Sequence, residues 1–276
     1  YDAHEFFTEM IEVKRRPWIH FAWSMLEKWL LPKFPRGYTV AKSISEEFKA
    51  LYGINYAVVR NVPHYREPTS ADLICSENVL KIMDSFKAQC PSPEPFILYQ
   101  GAINEGRALI QLLDAMTMVQ ARLLLAGTGN LEQQVKEHIK KLGLGHKVYM
   151  CGNVPPDQLR ELTLMCYGGI TIFDAYSKNQ YYSLGNKFFD YIMARKPQVC
   201  VNYPEYKAIL KEFPVAVPIE NTKPDSIATG LNNLLTDIVL YENLQYACHR
   251  AAGKLNWQEE EKTLLQCWAD LLGNKK

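Results

Sequence analysis

Residues 96–127 read FILYQGAINEGRALIQLLDAMTMVQARLLLAG. Two short apolar runs, FILYQG and ARLLLAG, each close on a glycine, and an amphipathic stretch of more than ten residues lies between them. That alternation predicts two parallel strands joined by a helix. It continues downstream in KVYMCG, GGITIF, PQVCV and VAVP, with helices expected over 105–118, 131–142, 156–166, 186–195, 206–211, 226–235 and 240–252. The implied class is α/β: a parallel sheet covered by helices on both faces. Gly101, Gly127 and Gly152 end three of the strands, where sharply turned backbone can approach a ligand closely. None of these loops has the spacing of a dinucleotide fingerprint or a P-loop, so the sequence offers no specific support for a nicotinamide or ATP site.

Upstream of Phe96 the pattern changes. YDAHE at the start reads as the end of a strand and its loop, residues 19–31 as a Trp-rich apolar helix, and 56–60 as a short strand. Ser43 and Glu46 have capping-box spacing for a helix that Gly53 would end. Pro91, Pro93 and Pro95 punctuate CPSPEP and place a domain boundary near Pro95. The expected division is 1–94 as a partial first domain and linker, 95–256 as a Rossmann-like domain, and 257–276 as a final helix. In that helix Leu264, Leu265, Trp268, Leu271 and Leu272 make a stripe expected to bury. Tyr1 stands where a complete chain would carry Met, with no leader before it, so the first domain is expected to be incomplete.

The 276 residues are 47% hydrophobic, enough for a sizeable core. Lys and Arg number 31 against 30 Asp and Glu, a net charge of +1, which argues against nucleic acid or another polyanion as partner. No run approaches the eighteen apolar residues of a membrane helix. The seven cysteines form no CxxC or Cys/His cluster, which fits reduced thiols in a cytoplasmic protein, and the six histidines show no metal-ligand spacing.

Three places can carry chemistry. Arg107, six residues beyond Gly101 where a helix is expected to begin, can reach a phosphate held over that helix start; a solvated surface arginine is the alternative. In SLGNKFFDYIMARKP, the turn at Ser183, Leu184 and Gly185 offers amide donors and Lys187 adds positive charge. Asn186 and Asp190 share a helix face on which the aspartate can accept hydrogen bonds from a ribose diol. A core helix with a solvated Asn186 and a Lys187–Asp190 pair explains the same residues. His4, after Asp2 at a strand end and beside Glu5, can exchange a proton near neutrality, although a lone histidine is more often structural.

YDAHE, YTVAKSISEEFKALYGINYAVVRNVP, FILYQGAINEGRAL, LLLAGTGNLEQQVKEHIKKLG, KVYMCGNVPPDQLREL, SLGNKFFDYIMARKPQV and NWQEEEKTLL, in that order and spacing, resemble the retaining nucleotide-sugar glycosyltransferases of family four. That resemblance implies the GT-B architecture, two facing Rossmann-like domains, of which the first would lack roughly its first hundred residues. It implies a UDP- or GDP-linked sugar donor, no metal cofactor, and a glycan, lipid-linked or small-molecule acceptor, with peripheral membrane contact left open. By position, Gly101 and Arg107 would face the donor diphosphate, Gly127 would begin the loop near the nucleotide, and the turn of Leu184, Gly185, Asn186 and Lys187 would support the diphosphate from the other side. His4 would stand near the reacting sugar. Asp190 falls on the second glutamate of the family's paired-glutamate motif, and the first falls on Tyr182. Two rivals fit the same residues: a sugar-nucleotide epimerase or hydrolase on this architecture, and a non-catalytic nucleotide-binding scaffold.

Overall fold

A computed structural model describes residues 1–67, 69 and 75–273. Among these residues nine parallel strands form two sheets. The smaller has β1 (Asp2–Ala3), β2 (Tyr38–Thr39) and β3 (Ala57–Val58) side by side, with helices α1 (Ile11–Lys14), α2 (Pro17–Leu30) and α3 (Lys42–Tyr52) in the connections. Helix α4 (Glu77–Gln89) then leads into the larger sheet.

That sheet contains β4 (Phe96–Gln100), β5 (Arg122–Ala126), β6 (Val148–Gly152), β7 (Gly168–Thr171), β8 (Gln198–Val201) and β9 (Ala216–Ile219). Their spatial order is β6-β5-β4-β7-β8-β9. The first strand in sequence and the fourth are therefore neighbours at the centre, and the connections leave in opposite directions from them. This is the switch point at which open α/β sheets form a crevice beyond their carboxyl ends. Between the strands run α5 (Leu109–Met116), α6 (Glu132–Lys141), α7 (Pro156–Met165), α8 (Lys178–Tyr181), α9 (Asn186–Met193), α10 (Pro204–Glu212), α11 (Pro224–Thr236) and α12 (Ile238–Ala252); α13 (Trp257–Gly273) closes the described chain.

The alternation of each strand sorts its side chains to two cores. Ile97, Tyr99, Leu123 and Leu125 pack with Leu109, Leu112 and Leu113 of α5 on one face. Leu98 and Leu124 pack on the other with Val79, Met83 and Phe86 of α4 and Leu162 of α7. Ile97, Leu98, Leu123, Leu124 and Leu125 are all fully buried, and truncating one to alanine would cost about 2–5 kcal/mol. The same packing puts α4 on the second sheet, ahead of the boundary that the prolines near Pro95 suggest.

Three local expectations do not hold. Ser43 does not cap α3: the cap position is Ala41, and the Ser43 amide and hydroxyl donate to Glu205 Oε1 of α10 at 2.7 and 2.6 Å. Glu46 pairs with Lys42 instead. A carboxylate from a distant helix thus replaces the local cap, while Gly53 ends α3 in the left-handed region as expected. The second is the start of α5, which falls at Leu109 rather than near residue 105, because Gly106 and Ala108 adopt positive φ. The third is the stripe on α13, which is not buried: Leu265 is 60% and Trp268 49% exposed. What holds α13 is its first residue, Trp257, packed against the main core, and a set of polar contacts. Glu260 accepts the Arg60 amide and its Nε at 2.8 and 2.6 Å, and the Trp257 amide donates to the Pro63 carbonyl. The Trp-rich helix forms as α2, with Trp18, Phe21 and Trp29 exposed.

Candidate active site

A cavity of about 740 Å³ opens at the carboxyl ends of β4 and β7, between the two sheets. Its floor comes from the larger sheet: Tyr99, Gln100 and Gly101 end β4, and Phe173 follows β7. The start of α9 supplies Leu184, Gly185, Asn186, Lys187 and Asp190, and the 101–108 loop supplies Arg107. The smaller sheet contributes His4 and Glu5 after β1, Glu12, Arg15 and Asn61.

Arg107 lies in the loop rather than on the helix start. Its guanidinium carbon sits 4.9 Å from the centre of the Phe173 ring. Lys187 shares that ring at 5.3 Å and lies 3.8 Å from the centre of Tyr99. The Lys187 Nζ is buried and has no hydrogen-bond partner among the described residues; burial first and Arg107 second pull its pKa well below the ordinary lysine value. The alternative Lys187–Asp190 pair therefore does not form. Two basic side chains facing one cavity, neither in an ion pair among the described residues, make an arrangement that an anion would complete.

Asp190 is held one turn further along α9. Gln100 Nε2 donates to its Oδ2 at 2.9 Å, and Gln100 Oε1 is in turn 2.8 Å from the Thr163 hydroxyl. Burial pushes the Asp190 carboxyl up to about 6, against the opposing effects of that hydrogen bond and of Lys187. The turn before α9 is packed tightly. The Gly185 amide is taken by the Tyr206 hydroxyl at 2.9 Å, so this donor, expected for a diphosphate, is occupied. The amides of Asn186 and Lys187 in the first turn of α9 have no protein acceptor among the described residues.

Gly127 does not line the cavity. It has a φ of +149°, its amide donates to the Gly152 carbonyl, and a Cβ there would fall 1.9 Å from the Gly101 carbonyl oxygen. Its role is to let two strand-end loops touch. His4 faces the cavity, with Nε2 3.0 Å from Asp2 Oδ2, and is mostly exposed. Tyr182 is turned away from the cavity and donates to Glu47 Oε1. Among the described residues no cluster of three or more His, Cys, Asp or Glu could hold a metal ion, and all seven cysteines are free thiols. No helix among the described residues is long and apolar enough to cross a membrane.

The sequence reading missed the contacts that close the cavity. Arg15 reaches Glu105 through two hydrogen bonds of 2.7 and 2.5 Å, and the Phe6 amide donates to Asn179 Oδ1 at 2.9 Å. Lys178 bonds both oxygens of Glu47 at 3.0 Å. Each joins residues far apart in sequence, and no local spacing announces them.

A parallel α/β sheet in this strand order, with basic side chains and a carboxylate gathered at its switch point and a second sheet across the cleft, has the layout in which open α/β sheets place their ligands. The model of the family described as glycosyl transferases group 1 matches residues 82–251, well over half of the chain, and the chain belongs to that family. An uncharacterized glycosyltransferase of Methanocaldococcus jannaschii is 25% identical over 204 residues, 72% of this chain and 50% of that protein. The chain thus spans about half the length of that curated relative. A glycosyltransferase of Rickettsia africae superposes with a TM-score of 0.72 at 16% identity, over 92% of this chain and 68% of that one. The Anabaena protein HepE, solved with UDP-glucose, gives a TM-score of 0.67 at 13% identity, over 84% and 64%. At these identities the likeness speaks for the fold, α/β of the GT-B type.

Proposed function

We propose that this chain carries the donor-binding part of a family-four glycosyltransferase, which moves a sugar from a UDP- or GDP-linked donor to an acceptor with retention at the anomeric carbon. The observation that carries the reading is the pair Arg107 and Lys187, both without an acidic partner among the described residues, over one ring at the sheet's switch point. Breaking the bond between sugar and diphosphate puts negative charge on the leaving oxygen and positive charge on the sugar ring. Arg107, Lys187 and the open amides of the first turn of α9 stabilise the first of these. No metal ion is assigned a part. Retention follows if the leaving phosphate oxygen takes the acceptor's proton on the face it departs from. His4 stands on the cavity wall supplied by the smaller sheet, where the reacting sugar would lie, and Asp190 is placed to accept from the ribose diol. The acceptor class is a glycan, a lipid-linked sugar or a small molecule, and the compartment is the cytoplasm.

The test is calorimetric binding of UDP and GDP, followed by nucleotide release from UDP- and GDP-sugars with and without candidate acceptors. Arg107→Ala should weaken nucleoside-diphosphate binding at least tenfold, since a charge-assisted hydrogen bond is worth about 1.5–3 kcal/mol. Unchanged affinity would remove the diphosphate from this cavity. Release that needs acceptor means transfer, release without it means hydrolysis, and binding without turnover means a scaffold.

A further inference from the structure

We infer that Lys187 is uncharged in the empty cavity and gains a proton when phosphates bind, so that the site takes up its ligand and a proton together; this rests on the diphosphate reading above.

The geometry around Nζ is the reason. The atom is buried and without an acceptor among the described residues, and it lies against the face of Tyr99 at 3.8 Å, Phe173, and the open Cα of Gly101. An ammonium so placed has lost its water and gained no acceptor. Its desolvation costs several kcal/mol, whereas the aromatic faces return about 0.5–2 kcal/mol. The neutral amine avoids most of that cost.

The charged and titratable groups around it do not reverse the balance. From the loop after β4, Arg107 disfavours a second positive charge. On α9 itself, Asp190 favours it, but this carboxyl is itself pushed up by burial and is bonded to Gln100. The Tyr99 hydroxyl of β4 is committed to the Ala102 carbonyl, and the Tyr206 hydroxyl of α10 accepts the Gly185 amide. From the smaller sheet, His4, Glu5 and Glu12 line the far side of the same cavity. The lowered lysine pKa agrees with this arrangement.

A diphosphate changes the sum, because it brings at least two negative charges and several acceptor oxygens into the space beside Nζ. The ammonium then has a charge-assisted partner and its proton affinity rises. By linkage, affinity falls as pH rises between the pKa of Lys187 in the empty site and its pKa in the complex, approaching tenfold per pH unit. The uncharged ribonucleoside supplies no such charge and should gain nothing from this residue.

The experiment is calorimetric titration of UDP, with GDP in parallel, at pH 8 in Hepes and in Tris, whose ionisation enthalpies differ. The terminal phosphate of either nucleotide is already ionised at that pH. Wild-type protein should absorb up to one proton per ligand bound. Lys187→Arg, whose guanidinium stays charged throughout, should bind while absorbing none, with thermal denaturation confirming that it folds. Equal proton uptake in both proteins, or none in the wild type, overturns the inference. Should the arginine variant fail to fold, wild-type affinity from pH 7 to 9.5 decides: a steady fall supports the inference and a flat profile overturns it. If the wild type binds neither nucleotide, the diphosphate reading has failed and this inference falls with it.

Discussion

Tyr182 donates its hydroxyl to Glu47 Oε1 across the cleft at 3.0 Å, beside the two hydrogen bonds that Lys178 gives the same carboxylate. This tyrosine occupies the position where the resemblance to family four places a glutamate that orients the donor sugar. Here it joins the two sheets instead. Tyr182→Phe should therefore cost about 0.5–1.5 kcal/mol in urea denaturation and leave UDP affinity within twofold. A tenfold loss of sugar-nucleotide binding with stability unchanged would mean that the phenol touches the donor.

Asp190 makes stability depend on pH in a specific sense. An aspartate in the unfolded chain titrates near 3.9, and burial raises this one to about 6. Between those values the folded protein holds a proton that the unfolded chain has released. The contribution is therefore fully present below about pH 4 and is lost as pH rises through 6. Two pKa units correspond to roughly 2–3 kcal/mol. Asp190→Asn, which keeps an acceptor for Gln100, should remove this dependence and gain on the wild type by about that amount between pH 4 and 7. Urea midpoints at four pH values decide it, and parallel slopes for the two proteins would refute it. In binding, the same variant should weaken UDP and leave inorganic diphosphate unaffected, since only the former carries a ribose.

The larger sheet was legible because most of its strands are buried on both faces, so they read as apolar runs, three of them ended by glycine. Arg107, Lys187 and Asp190 were legible as a group because they lie in the loop that follows a strand or in the first turns of a helix, stretches that sequence order alone locates. What escaped depends on residues brought together only by folding. Ser43 and Glu46 have the spacing of a cap, but Glu205, more than 150 residues away, supplies a better acceptor. Gly127 has the look of a ligand loop, yet its missing side chain makes room for Gly101. The stripe on α13 follows helical periodicity faithfully, and periodicity cannot say that Glu260 rather than Trp268 is the buried residue.

Gly185 has an ordinary φ of −72°, so no backbone strain forbids a side chain there. Space does. A Cβ would stand 2.7 Å from the Phe173 ring and 3.4 Å from the Tyr206 hydroxyl, and both rings are buried. Phe173 cannot yield without displacing Arg107 and Lys187, which both lie over it. Gly185→Ala should cost about 1–3 kcal/mol and weaken UDP binding at least fivefold, by moving both cations together. Wild-type affinity in a destabilised variant would show that the cations do not depend on that ring.

Glu260 is the anchor of α13. It is 5% exposed, accepts both the amide and the side chain of Arg60, and ties the end of the chain to β3. Glu260→Ala should cost about 3 kcal/mol in chemical denaturation, because it leaves a half-buried guanidinium and a backbone amide without acceptors. Glu260→Gln separates the two contributions: its carbonyl oxygen can still accept from the Arg60 amide, while the charge and the acceptor facing the Arg60 guanidinium are lost. A cost of about 1–2 kcal/mol for the glutamine variant, well short of the alanine one, would place much of the anchoring in the hydrogen bond to the backbone. Equal costs would place it in the ion pair with the Arg60 guanidinium.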